Sequence, residues 1–201
     1  MTFRTARLFG SVLILASVFL FNCADTAPKL HPGAKAPEFS LKDGAGVEHS
    51  LARELKNKFV VLIFMGTHCP ASNGYTQRMT ELYRDYASKD VSILGINANA
   101  AEGADEVLQH AKDRHIQFPV LKDVNSIVAD AYGAQVTPET FVIDGNGMLR
   151  YHGRIDDDMR GTNITSRDLR NALDALIEGK EVPVSETRVF GCGIERAKRS
   201  E

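Results

Sequence analysis

The sequence of 201 residues predicts an α/β fold in which a mixed central β-sheet is flanked by helices. Three observations predict it. Apolar runs with strand character alternate with segments whose apolar residues recur at helical spacing. A D-G-N-G hairpin signal occupies residues 144–147, and an amphipathic segment then closes the domain. This order is typical of a sheet with helices packed on its faces.

The first half of the domain contains a hairpin and a strand that leads directly into a helix. Residues 38–42 and 47–50 flank D-G-A-G and predict a short N-terminal hairpin. The run F-V-V-L-I-F-M at 59–65 predicts a strand buried on both faces. Residues 70–88 follow as a helix, and we expect its core positions to be Tyr75, Met79, Leu82, Tyr83 and Tyr86.

The second half continues the alternation. Strands are expected over residues 91–96, 118–121, 140–143 and 149–151, and helices over 105–115 and 126–132. The closing helix lies in D-L-R-N-A-L-D-A-L-I-E-G-K, residues 168–180. Ser166 is predicted to be its N-cap, and Gly179 is predicted to end it.

The N-terminus has the pattern of a signal peptide over residues 1–22. Arg4 and Arg7 precede an apolar stretch of 14 residues at 8–21, too short to span a membrane comfortably, since a spanning helix needs roughly 20. Cys23 follows directly, which resembles a bacterial lipoprotein signal and predicts a lipidated cysteine. A retained N-terminal anchor, or cleavage near residues 24–27, is the alternative.

The rest of the chain divides into three parts. Residues 23–35 are polar, contain two prolines and predict a linker. Residues 36–182 form the predicted domain, and residues 183–201 a C-terminal tail. The formal charge of -2 gives no electrostatic basis for binding nucleic acid.

Export would permit disulfides. The predicted location is the periplasm or cell envelope, with a lipid anchor at the membrane surface. If Cys23 carries lipid, only Cys69 and Cys192 remain of the three cysteines.

Cys69 stands between a predicted buried strand and a predicted helix. Pro70 suits the first helical turn, so Cys69 would lie at the helix N-terminus. Unpaired N–H groups there favour the thiolate and lower the thiol pKa from about 8.5, which makes the cysteine nucleophilic. A buried, inert thiol at a strand end is the alternative interpretation of this position.

A second motif favours the nucleophilic interpretation of Cys69 over the inert one. The order T-H-C-P-A-S, then V-T-P-E-T-F-V-I-D at 136–144, then the hairpin, resembles the thioredoxin-like superfamily. The resemblance implies that Pro138 is cis and faces Cys69, and that Thr137 contacts the substrate. An ordinary trans proline turn is the alternative at this position.

Further stretches narrow the resemblance. A-P-E-F-S-L at residue 36, F-P-V-L-K-D at 118, Y-H-G-R-I-D-D at 151 and E-T-R-V-F-G-C-G-I at 186 are similar to redoxins, the group of alkyl hydroperoxide reductases and thiol-specific antioxidant proteins. They are most similar to a peroxiredoxin-like branch that ends in G-C-x-I. The similarity spans residues 32–196 and implies a thioredoxin-like fold.

The sequence departs from the families that it resembles at three places. Ser72 replaces the second cysteine of a C-x-x-C site. Gly66 stands where peroxiredoxins have a threonine, with Thr67 one residue late, and Ile63 replaces the buried acid of thioredoxins. His68 is a candidate for proton transfer, since histidine titrates near neutral pH, or else an exposed polar neighbour.

Cys192 is the candidate partner of Cys69. Gly191 and Gly193 bracket it and let the backbone approach another surface closely. We hypothesise that the tail folds back so that Cys192 resolves intermediates formed on Cys69, or that the two form a permanent structural staple. Arg154 is a weaker candidate, either for stabilising a thiolate or acidic substrate or for an exposed ion pair.

The sequence therefore predicts an exported thiol–disulfide oxidoreductase, with Cys69 as nucleophile and Cys192 as resolving thiol. A thiol-dependent peroxidase, or a non-catalytic binding module stapled by the disulfide, is the alternative. The expected partners are a protein disulfide or peroxide and an external thiol donor. No cofactor or metal is expected: His110 and His115 do not share a helical face, residues 156–158 lack calcium-loop spacing, and copper delivery would need a second nearby cysteine.

Overall fold

The computed structural model describes residues 30–197. The predicted signal peptide, the lipidation of Cys23 and most of the predicted linker lie outside the described residues. Within 30–197, no helix is long and apolar enough to cross a membrane.

A seven-stranded mixed sheet forms the centre of the molecule, with strand order β2-β1-β5-β4-β3-β7-β8. Strands β3, β4 and β5 run parallel to one another, whereas the other neighbouring pairs are antiparallel. The mixed sheet and the N-terminal hairpin are confirmed. The strands are β1 Ser40–Asp43, β2 Glu48–Ser50, β3 Phe59–Phe64, β4 Val91–Asn97, β5 Val120–Lys122, β6 Val136–Thr137, β7 Glu139–Asp144, β8 Leu149–Gly153 and β9 Cys192–Gly193.

Helices cover both faces of the sheet. They are α1 Leu51–Glu54, α2 Pro70–Tyr86, α3 Ala104–Asp113, α4 Ile127–Tyr132 and α5 Asp168–Ile177, with a 3₁₀ turn Val124–Ser126 ahead of α4. Strand β3 is apolar on both faces: Val61 and Ile63 pack with α2 and α5, and Val60 and Leu62 pack with α1 and α4. Tyr75 and Tyr86 are buried in the first of these cores and Tyr83 packs against it, as predicted.

The start of α5 corrects one prediction. Arg167, not Ser166, occupies the N-cap position, and its side chain makes no capping hydrogen bond. The Ser166 hydroxyl donates to Asp168 Oδ1 over 2.7 Å, while the Leu169 N–H donates to the carbonyl oxygen of Ile155 over 3.1 Å. A carbonyl from the preceding loop therefore satisfies a first-turn N–H that the serine was expected to satisfy. Gly179 ends the helix in the left-handed region, with φ +72°, as predicted.

The C-terminal tail runs back along the sheet edge to the start of α2. The backbone of His152 in β8 donates its N–H to Ser185 and accepts from the Thr187 N–H, over 2.9 and 3.0 Å. Further on, β9 pairs with β6 in a separate two-stranded sheet. Cys192 is thereby carried to the turn that precedes β7.

Candidate active site

Cys69 occupies the N-cap position of α2. Its backbone is extended, with φ -78° and ψ 114°, and Pro70 begins the helix. The Ser72 N–H donates to Cys69 Sγ over 3.2 Å. A helix N-terminus and a direct N–H donor both stabilise negative charge, so this position favours the thiolate form of reduced Cys69.

Cys192 lies against Cys69, and the two are joined by a disulfide. Their Cα atoms are 5.8 Å apart although they are 123 residues apart in sequence. The pairing of β6 with β9 places Thr137 opposite Cys192 and Val136 opposite Gly193. The Ile194 N–H extends this contact by donating to the Gln135 carbonyl oxygen over 2.9 Å. The tail therefore folds back as hypothesised.

The turn before β7 completes the wall around the sulfur atoms. The Thr137–Pro138 peptide bond is cis, as the resemblance implied. Cys69 Sγ lies 3.1 Å from the Thr137 carbonyl oxygen, so a reduced thiol could donate to it. Cys69 is 4% exposed, whereas Cys192 is only partly buried.

Gly66 stands where peroxiredoxins have a threonine, and little space remains beside it. A Cβ added there would lie 2.7 Å from the Asn99 side-chain nitrogen and 3.3 Å from the Cβ of Cys69. The Asn99 amide therefore occupies the space that a threonine side chain would need. Nearby, the hydroxyls of Thr67 and Thr137 are buried and have no hydrogen-bond partner within the described part of the chain.

For three further predicted site residues, the main side-chain contacts are with residues other than the two cysteines. The Ser72 hydroxyl is buried and accepts from the Gly66 N–H over 3.3 Å, so it braces the loop. His68 is largely exposed, and its Nε2 lies 2.6 Å from Glu106. The Arg154 guanidinium pairs with Asp168 over 2.7 Å, so it forms an ion pair, but a largely buried one and not the exposed pair of the alternative prediction.

Glu102, which no sequence motif singles out, binds the backbone of the loop that leads to Cys69. Its buried carboxylate accepts from the N–H groups of Thr67 and His68, over 2.9 and 3.2 Å, and from the Asn97 side chain. Burial raises the pKa of this carboxyl, but those hydrogen bonds outweigh it, so the net pKa lies below its ordinary value of 4.5. The carboxylate is thus a fixed acceptor for the loop that ends at Cys69.

Glu102 predicts a specific acid sensitivity. Because its folded-state pKa is lowered, its ionised form stabilises the folded protein above the ordinary pKa, and this stabilisation is lost as pH falls through the folded pKa. In urea unfolding between about pH 7 and pH 3, Glu102→Gln should therefore lose less stability than the wild type. The difference should be at most about 2 kcal/mol, because pH 3 lies about 1.5 units below the ordinary pKa of 4.5 and each unit corresponds to about 1.4 kcal/mol. Parallel losses in the two proteins would contradict the assignment.

The same segment of the chain also matches known proteins. A model of the AhpC/TSA family matches residues 32–152, the segment that contains Cys69 and the cis proline. The chain belongs to the AhpC/TSA family. Within this redoxin family it is similar to proteins named thiol-disulfide oxidoreductase ResA. The ResA of Halalkalibacterium halodurans is 37% identical over 118 residues, covering 58% of this chain and 65% of that protein. That of Geobacillus kaustophilus is 30% identical over 86% of this chain and 94% of its own length.

Solved structures support the same placement of this AhpC/TSA redoxin. A hypothetical protein from Sinorhizobium meliloti has a TM-score of 0.79 at 32% identity, covering 84% of this chain and 96% of that one. A putative thiol:disulfide interchange protein DsbE from Chlorobium tepidum has a TM-score of 0.60 at 21% identity, covering 75% and 98%, and shows the fold alone. The thioredoxin-like fold implied by the sequence is therefore confirmed.

Proposed function

We propose that this redoxin is an exported thiol–disulfide oxidoreductase whose working pair is Cys69 and Cys192. The observation that carries the proposal is the disulfide between a cysteine at a helix N-terminus and a tail cysteine beside the cis proline. The ResA names of its relatives support the same reaction class. The substrate would be a protein disulfide, and an external thiol would supply electrons.

The reaction would proceed in two exchanges. The Cys69 thiolate attacks one sulfur of the substrate disulfide, forms a mixed disulfide and releases the other substrate sulfur as a thiolate, which takes up a proton. Cys192, after losing its own proton, attacks Cys69, and the second substrate sulfur leaves. The substrate gains two electrons and two protons, and the enzyme is left with the Cys69–Cys192 bridge. An external dithiol then reduces the bridge.

The second exchange falls to the tail because the helix cannot perform it. Ser72 occupies the position of the usual second cysteine, and its hydroxyl cannot form a disulfide. Its contacts are structural: the Ser72 N–H donates to Cys69 Sγ, and the Ser72 hydroxyl accepts from the Gly66 N–H. Cys192 is held opposite Thr137 and reaches the same sulfur from the other side.

The test measures exchange directly. The reduced protein is mixed with a small protein disulfide, and the products are trapped by acid and alkylation. Cys192→Ser should accumulate a substrate adduct on Cys69, and Cys69→Ser should accumulate none. If the wild type reduces the disulfide no faster than glutathione does at equal thiol concentration, the proposal fails.

Peroxide reduction is the second candidate, because two buried threonine hydroxyls near Cys69 have no hydrogen-bond partner within residues 30–197. In that reaction Cys69 takes one peroxide oxygen as a sulfenic acid and water or an alcohol leaves, and Cys192 then condenses with it and releases water. Stopped-flow mixing of reduced protein with hydrogen peroxide measures the first step. A rate no greater than that of free cysteine excludes this candidate.

We further propose that the chain is exported and anchored through a lipid on Cys23, in the periplasm or cell envelope. The charged and apolar pattern of residues 1–22, followed at once by a cysteine, supports this. Mass spectrometry of the mature protein should find residue 23 at the N-terminus with a mass increase from acyl chains. An unmodified N-terminus further along the chain would contradict it.

A further inference from the structure

Glu139 and His152, which the exchange reaction does not use, form a buried pair next to the cis proline. His152 Nε2 lies 2.6 Å from Glu139 Oε1, and the two side chains are 2% and 1% exposed. The imidazole also stacks on Phe141, with ring centroids 4.5 Å apart. A buried pair of this kind loses solvation free energy unless its other atoms are also hydrogen-bonded. Its remaining partners therefore indicate which parts of the fold it holds together.

The second oxygen of Glu139 fixes the segment that contacts both cysteines. Glu139 Oε2 accepts from the N–H groups of Gln135 and Val136, over 2.8 and 3.1 Å. The same segment binds the Ile194 N–H through Gln135, pairs with Cys192 through Thr137, and presents the Thr137 carbonyl oxygen to Cys69. One carboxylate thus orders the backbone segment that contacts both cysteines.

His152 holds the same tail at a point before Cys192. Its backbone makes two hydrogen bonds, one with Ser185 and one with Thr187. Its Nδ1 lies 3.5 Å from Glu186 Oε1, without a hydrogen bond to any described residue. The tail is therefore attached before Cys192 by His152, and after it by the segment that Glu139 orders. Cys192 thus lies between an attachment to the backbone of His152 and one to the segment that Glu139 orders, and the buried pair joins the two.

We propose that the Glu139–His152 pair is a positioning element that sets how readily the Cys69–Cys192 bridge forms. By holding the tail and the cis-proline segment together after reduction, it raises the effective concentration of Cys192 at Cys69. A higher effective concentration favours the bridge over the dithiol in equilibrium with external thiols. This inference rests on the proposed function, because it assumes that the bridge opens and closes.

The experiment compares the full-length protein in four forms, the wild type and three variants, each equilibrated with reduced and oxidised glutathione. His152→Leu removes the donor to Glu139, and His152→Gln keeps a donor near the position of Nε2. His49→Leu is the matched control, since His49 is also buried between two carboxylates, with Asp43 at 3.4 Å and Glu54 at 3.1 Å. It lies on β2 at the opposite edge of the sheet. The bridged fraction is counted by alkylation and mass spectrometry.

His152→Leu should lower the equilibrium constant for bridge formation at least about tenfold, equivalent to about 30 mV in reduction potential. His152→Gln should recover most of the loss, and His49→Leu should stay within about twofold of wild type. If His152→Leu does not fold, Glu139→Leu/His152→Leu replaces it, because this double variant leaves no unpaired buried charge. The same tenfold loss is expected.

Several outcomes would overturn the inference. One is an equilibrium constant for bridge formation in His152→Leu, or in the double variant, that lies within twofold of the wild-type value. Another is an equal decrease of that constant in His49→Leu. No recovery in His152→Gln is a third. Failure of the proposed function looks different, because the wild-type bridge would then resist reduction by glutathione or would exchange no substrate disulfide. Failure of the inference is thus measured on the variants, and failure of the proposed function on the wild type.

Discussion

Replacing Gly191 by alanine is expected to destabilise the Cys69–Cys192 bridge by about a hundredfold against glutathione. A Cβ at this position would lie 2.1 Å from the Thr137 carbonyl oxygen and 2.7 Å from its carbonyl carbon. Both are backbone atoms in the segment that contacts Cys69, so neither can rotate away as a flexible side chain could. The tail strand would have to separate from β6. Overpacking of this kind typically costs about 1–3 kcal/mol, and we expect the upper end of that range.

Gly193→Ala provides the matched control on the other side of Cys192. Nothing in the described part of the chain lies within 4 Å of a Cβ built there. Its equilibrium with glutathione should therefore stay within about twofold of wild type. Both variants are measured by alkylation of free thiols after equilibration in redox buffers. A bridge in Gly191→Ala that is as stable as in the wild type would mean that the tail does not depend on its close contact with Thr137.

Local pattern predicted most of the framework. The branched apolar run of β3 and the helical spacing of α2 placed both elements to within two residues, because burial on both faces and a single helical face leave a clear periodicity. The prediction of Ser166 as the N-cap of α5 was wrong because the contact that satisfies this helix end is not local. The first turn of α5 is satisfied by the carbonyl of Ile155, 14 residues before Leu169, and no local motif encodes that contact.

The site divides in the same way. Cys69, Thr137 and Pro138 lie in compact motifs, and their arrangement was predicted. Glu102 and His152 were not found, because their partners come from loops and strands that only the folded chain brings together.

One signal was present in the sequence for the buried pair. A glutamate at position 139 opens the apolar strand T-F-V-I, and a charged residue that is fully buried must be paired. Its partner His152 lies across the strand pair β7–β8, where Phe141 stands opposite it, so it could not be named without the register.

Cys192→Ser is expected to produce the second large effect, on both stability and turnover. The bridge closes a loop between residues 123 apart, which in the chain-entropy model stabilises the folded protein by about 5 kcal/mol. Urea unfolding should show Cys192→Ser less stable than the oxidised wild type by up to that amount. The reduced wild type is its control and should unfold at nearly the same urea concentration as the variant.

Turnover distinguishes a working pair from a staple. An intramolecular thiol at the right position is equivalent to a very high concentration of free thiol, so its loss should slow repeated turnover of a protein disulfide about a thousandfold or more. The first exchange, at Cys69, should still occur and leave a trapped adduct in Cys192→Ser. A staple predicts a different pair of results, in which stability falls as above while the wild type and both cysteine variants exchange disulfides equally slowly. Equal exchange rates in the three proteins would therefore leave the bridge with a structural role alone.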